Sequence, residues 1–315
     1  MVKIFEMSKT ALLFAGQGAQ VVGMGKDLAE KFPSAQGWFD RANAALGYDL
    51  AGICFNGPEA DLTKTENAQP GIYLVSWVCF QLLKEKAPNL KFDATAGLSL
   101  GEFTALTAAG ALSFEDGLRV VRQRGKFMQE ACDVTKGGMA AIIGLDETLT
   151  REVCAEAGVV LANLNCPGQL VISGEAEKIA KACELAKAKG AKRALPLSVA
   201  GAYHSPLMAS AQPKLGAELA KVNLVLPVIP VISNVTAATH GTPAEISAKL
   251  VEQVCASVRW EGSIRALLAQ GFTRFIELGP GTALSGFMKR IDKTATMLNV
   301  ADAASLEATV KAISI

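Results

Sequence analysis

The chain has 315 residues, half of them hydrophobic and 19% charged, which suits one large core or two modest ones. Lys and Arg number 31 against 30 Asp and Glu, and the net charge of +1 gives no reason to expect a nucleic-acid partner. Seven cysteines with no C-x-x-C pair argue against a zinc site or disulfide framework and fit reduced thiols in a cytoplasmic protein.

The first ten residues alternate charged with apolar side chains, so no export leader is expected. Ala11–Ala15 reads as a buried strand ending in the turn Gly16-Gln17-Gly18. Helical patterns follow over 26–46 and 72–86; the longest strongly apolar run, 71–83, is too short to span a bilayer. A second buried strand over 92–96 runs into Gly97-Leu98-Ser99-Leu100-Gly101 and a helix through Ala109. Ser113 and Asp116 have capping-box spacing and start a helix carrying Arg119, Arg122 and Arg124. From Gly138 the rhythm becomes strand 139–145, helix 146–157, strands 159–165 and 169–173, helix 175–189 and strand 191–197. That βαββαβ order is the ferredoxin-like arrangement. It predicts a subdomain at 138–201 inserted into an α/β domain made of 1–137 and 202–315. Strand 228–235, helices 245–258 and 262–269, strand 274–278 and helix 283–291 complete the outer domain. Strands alternating with helices imply a parallel sheet covered on both faces.

The string 97–101 matches G-x-S-x-G between a strand and a helix, the context of a nucleophile elbow, and makes Ser99 the candidate nucleophile. A serine needs a base, and only two histidines exist. His240 lies in a turn-like string expected to be exposed at a helix start. His204 precedes Ser205-Pro206, a cap and first helical position that would hold it rigidly, and is the better placed. A tetrahedral intermediate needs donors. The Leu100 amide is one candidate, and the loop Gly16-Gln17-Gly18 is placed to supply another. That loop lacks the third glycine of a dinucleotide fingerprint and the Lys-Ser/Thr of a P-loop, which weakens a nucleotide-binding reading. Arg119 and Arg124 stand about 140° apart around their helix, so the three arginines cannot share one environment. An inward one would suit a substrate carboxylate. Spacing does not say which.

Six ordered strings carry a resemblance over nearly the whole chain: residues 14–20, 97–103, 123–129, 165–169, 202–208 and 277–281. Together they resemble the malonyl-CoA:acyl carrier protein transacylase family. The resemblance implies a hydrolase-like α/β core with a ferredoxin-like insertion, and malonyl transfer from malonyl-CoA to acyl carrier protein for fatty acid synthesis, with no permanently bound cofactor. It further implies Ser99 as nucleophile, His204 as base and later acid, and Arg124 as the carboxylate clamp. The amides of Gln17 and Leu100 would form the oxyanion hole, and the Gln253 carbonyl would orient the histidine. Leu98 stands where the family usually has His, which bears on acyl contacts more than on the dyad. Tyr203 resembles the aromatic of malonyl-selective members. A polyketide-synthase acyltransferase, a thioesterase and a silent docking subunit are the rival readings. Carrier proteins of this class are acidic, so Lys187, Lys189, Lys192 and Arg193 are candidates for a docking patch.

Overall fold

The structure, a computed structural model, describes residues 9–314. The reading of the leader therefore falls, over Met1–Ser8, outside the described residues. Among the described residues nine strands form two sheets: β1 Lys9–Phe14, β2 Ala94–Gly97, β3 Gly137–Ile143, β4 Val160–Cys166, β5 Gln169–Glu175, β6 Arg193–Pro196, β7 Val231–Ile232, β8 Phe272–Leu278 and β9 Thr296–Val300. The larger sheet runs β7-β2-β1-β8-β9 and every pairing in it is parallel. Its central strand, β1, pairs with β2 on one side and β8 on the other. Helices cover both faces, so the side chains after Lys9 are all buried and the strand reads Thr-Ala-Leu-Leu-Phe without alternation.

The smaller sheet is antiparallel in the order β4-β5-β3-β6, with helices Glu147–Ala157 and Ala176–Ala188 on one face. This is the ferredoxin-like layout, with its own apolar core around Ile142, Leu161, Ile172 and Ile179. The smaller sheet is stitched to the larger domain where the Leu164 amide donates to the Val258 carbonyl (2.9 Å) and the Val258 amide to the Ala162 carbonyl (2.8 Å). A cleft opens between them.

Several elements differ from the sequence reading. The expected helix over 26–46 is two, Lys26–Lys31 and Pro33–Leu46, because Pro33 lacks the amide to continue the first and suits the first turn of the second. The strand expected over 228–235 shrinks to Val231–Ile232; Pro230 has no N–H for a ladder and Val228 is exposed. The helix expected to reach Val258 stops at Gln253. Helix Ala211–Leu219, strand β9 and helix Ala303–Ile313 were not anticipated.

Candidate active site

Gly97 ends β2, and the chain then reverses sharply through Leu98 and Ser99 into helix Gly101–Ala108. Ser99 has φ 52°, a left-handed conformation that a side-chain-bearing residue adopts at a cost. The turn is compressed on both sides. A Cβ on Gly97 would overlap the Gly101 carbonyl, and one on Gly101 would overlap the Phe14 carbonyl of β1. Both backbone groups of Ser99 are held from below: its amide donates to Asn234 Oδ1 (2.6 Å) and its carbonyl accepts from Gln253 Nε2 (3.0 Å).

His204 meets this serine from the segment that returns after β6. Ser205 Oγ donates to the Ala202 carbonyl (2.7 Å) and accepts from the Leu207 amide (3.2 Å), which fixes the turn before Pro206. His204 is buried, with φ 57°, and its Nε2 lies 2.8 Å from Ser99 Oγ. Its Nδ1 lies 2.8 Å from the Gln253 carbonyl oxygen. A carbonyl only accepts, so Nδ1 carries the hydrogen and Nε2 is left free to take one from the serine. Helix Pro243–Gln253 ends where it does to the dyad's benefit, since the carbonyl of its last residue goes to the imidazole. Burial first, then the nearby Arg124 charge, push the His204 pKa down to about 4. The ring is therefore neutral at pH 7.

Arg124 comes from helix Phe114–Asp133, which Ser113 caps by accepting from the Asp116 amide (3.1 Å). Arg119 pairs with Asp116 at the surface and Arg122 lies over the Tyr48 ring, while Arg124 alone points inward, 1% exposed. Its Nη2 donates to Ser99 Oγ (3.1 Å) and to Gln253 Oε1 (3.0 Å), its Nη1 donates to Gln69 Oε1, and the guanidinium lies over the Phe103 ring. Its Nε has no partner, and among the described residues no carboxylate pairs with it. Burial lowers its pKa to about 10, still charged at neutral pH. Nε and Nη2 share one edge of the guanidinium, the edge that takes a carboxylate with two parallel bonds. Arg124 is thus a buried cation, hydrogen-bonded only to neutral groups, beside a serine hydroxyl.

The cleft is about 630 Å³. Gln17, Leu98, Ser99, Tyr203 and His204 line it from the larger domain, and Asn163 and Val171 from the smaller. Gln17 sits in the loop after β1, where Gly16 is required because a Cβ there would overlap the Leu98 carbonyl. Leu100 occupies the cap position of helix Gly101–Ala108, where amides lack intrahelical acceptors. The Tyr203 hydroxyl lies 2.7 Å from Thr65 Oγ1, and Gln17 Nε2 donates to it at 3.4 Å. Leu98 is half-buried and packs on apolar side chains of the larger sheet.

A family model for the acyl transferase domain matches residues 11–308. The chain belongs to the acyl transferase family. Among curated relatives of this acyl transferase, the malonyl CoA-acyl carrier protein transacylase of Bacillus subtilis is 46% identical, covering 98% of each chain. That of Escherichia coli K12 is 42% identical over 92% of this chain and 95% of the relative. Among solved structures, the acyl-carrier-protein-S-malonyltransferase of Bartonella henselae is 40% identical and superposes with a TM-score of 0.93, covering 98% of this chain and 100% of the other. A malonyl-transacylase in complex with a type II PKS acyl-carrier protein is 39% identical with a TM-score of 0.94, covering 97% and 100%.

Of the residues singled out in this acyl transferase by sequence, Ser99, His204, Arg124 and Gln253 are joined by direct hydrogen bonds, and Gln17 flanks them. His240 is not exposed, contrary to expectation. Its side chain is 1% exposed and its Nε2 lies 2.6 Å from Glu102 Oε1, because the turn that carries it folds under the elbow. Lys187, Lys192 and Arg193 are exposed, whereas Lys189 is half-buried and paired with Glu152 and Glu156. Sequence reasoning missed Glu102, Asn234 and Gln69. The signal for Glu102 was present: a carboxylate directly after an elbow, amid apolar residues, needs buried donors. Among the described residues no group of three or more His, Cys, Asp or Glu could hold a metal ion, and no helix is long and apolar enough to cross a membrane.

Proposed function

We propose that this chain transfers malonyl from malonyl-CoA to the phosphopantetheine thiol of an acyl carrier protein, through an ester on Ser99. The observation that carries this reading is the buried Arg124, with its unpartnered Nε and its Nη2 3.1 Å from Ser99 Oγ. A plain hydrolase has no use for a dehydrated cation beside its nucleophile; an acyl group ending in a carboxylate does.

The steps follow from the hydrogen-bond directions. Ser99 Oγ attacks the thioester carbonyl carbon as its proton passes to His204 Nε2. The developing oxyanion is met by the amides of Gln17 and Leu100. The carbon–sulfur bond breaks, the CoA sulfur leaves with the proton from His204, and malonyl-Ser99 remains. The carrier's thiol then attacks this ester, gives its proton to His204, and the Ser99 oxygen recovers it as the ester bond breaks. The Gln253 carbonyl steadies the imidazole in place of an acidic third member. Malonyl-CoA is substrate, and these steps use no permanently bound cofactor. The Tyr203 ring before His204 favours malonyl over branched acyl groups.

The same reading divides the chain into 1–137 with 202–315 and an inserted 138–201, and assigns fatty acid synthesis in the cytoplasm as its setting. The seven cysteines, all free thiols, are in keeping with that compartment. The carrier is proposed to dock on Lys187, Lys192 and Arg193, with Lys189 contributing less because two glutamates already face it. In support of this docking face, strand β6 runs from Arg193 toward Leu197 and Val199, which line the cleft.

Intact-mass spectrometry tests the proposal. Malonyl-CoA should add one malonyl group, lost in Ser99→Ala, and holo-carrier should discharge it far faster than water. Discharge to water at the same rate would refute transfer in favour of hydrolysis, and no labelling at all would refute both.

A further inference from the structure

Beneath the elbow lies a buried acid–imidazole pair, which the transfer steps leave unused. Glu102 follows Gly101 in the helix after the elbow and is fully buried; His240 sits in the turn after β7. His240 Nε2 lies 2.6 Å from Glu102 Oε1. The other carboxylate oxygen, Oε2, accepts from the Asn234 amide (3.0 Å) and from Gln253 Nε2 (2.7 Å). The His240 amide donates to the Val231 carbonyl (2.9 Å), which ties this turn to the larger sheet.

Each further partner of Glu102 leads in one step to a reacting group. Asn234 takes the Ser99 amide on Oδ1 and braces the Gly97 carbonyl through Nδ2 (2.7 Å). Gln253 donates to the Ser99 carbonyl, accepts from Arg124, and takes the His204 Nδ1 hydrogen on its own carbonyl. The carboxylate plane is thus fixed by His240 on one oxygen and transmits that orientation to the serine and the imidazole through the other. We propose that His240 is a positioning residue, holding Glu102 so that Asn234 and Gln253 set Ser99 Oγ against His204 Nε2. In the reaction this rests on the transferase reading.

Three substitutions test it. His240→Gln places an amide nitrogen where Nε2 was; His240→Asn is equally polar but stops at the position of Nδ1; His240→Leu fills the space without a donor. The readouts are kcat and KM for malonyl transfer, and the rate at which a fluorophosphonate probe labels Ser99, which needs neither malonyl nor carrier. His240→Asn and His240→Leu should lower kcat and labelling at least about tenfold with KM within about twofold, and His240→Gln should recover to within about threefold of the unsubstituted chain. The proposal is overturned if all three keep full rates, if Gln is no better than Asn, or if no variant folds, since the role would then be structural. Should only His240→Leu fail to fold, the comparison of Gln with Asn decides. A chain that labels in this order yet transfers no malonyl would refute the transferase reading and leave the His240 assignment standing.

Discussion

Arg124→Ala removes the proposed grip on the malonyl carboxylate. On the Nε–Nη2 edge, Nε has no partner while Nη2 already donates to Ser99 Oγ and Gln253 Oε1, so a carboxylate gains one charge-assisted hydrogen bond outright and a second only in exchange for the Ser99 Oγ contact. The bond gained outright is worth about 1.5–3 kcal/mol, or on the order of 10–10² in rate if formed in the transition state. Acetyl-CoA presents no carboxylate, so its transfer loses only what Arg124 does for the dyad through Ser99 Oγ and Gln253. That effect should be less than about tenfold, and loss of the positive charge beside His204 works in the opposite sense by making the imidazole more basic. The assay is single-turnover acylation of Ser99 by each thioester, followed by quench and intact-mass detection. Equal losses for both acyl groups would refute the clamp and make Arg124 a structural residue.

Because the His204 pKa is held near 4, kcat/KM for malonyl-CoA should stay level from pH 7 down to about 5 and fall only below that; a drop centred near 6.5 would contradict the buried, Arg-flanked imidazole. The stability effect has the sign of a histidine buried neutral. Its folded pKa lies below the unfolded value, so the unfolded chain takes up the proton first, and stability lost between about pH 6.5 and 4 should appear in urea melts. Gly101→Ala should destabilise by about 1–3 kcal/mol and abolish acylation, since the new methyl meets the Phe14 carbonyl; denaturant melts and mass labelling check both. Lys192→Glu with Arg193→Glu should raise KM for the carrier severalfold and leave Ser99 malonylation by malonyl-CoA unchanged; unaltered carrier KM would place docking elsewhere.

The elbow, the cap at Ser113 and the ferredoxin-like insertion were legible because each is local: strand, turn chemistry and helix start lie within a few residues. Arg124 was not separable from its neighbours by spacing, as burial depends on which helices pack over Phe114–Asp133. His240 was misread for the same reason. Its string looks like a surface turn, and only the tertiary position under Glu102 buries it. The early stop of the helix at Gln253 is also a long-range effect, because the carbonyl it leaves over is used by an imidazole 49 residues away. The strand read over 228–235 failed as a local reading through Pro230, and β9 because an edge strand carries a weaker apolar pattern.

The order in which these parts leave the ribosome has a consequence. Ser99 and Arg124 emerge early, but the imidazole follows only after the ferredoxin-like unit, and the carbonyl that sets its tautomer later still. A nascent or truncated chain ending before Gln253 holds the serine and His204 but lacks the carbonyl that orients the imidazole. On the proposed mechanism such a chain should react with thioesters far more slowly than the full one, however well its amino-terminal half has folded.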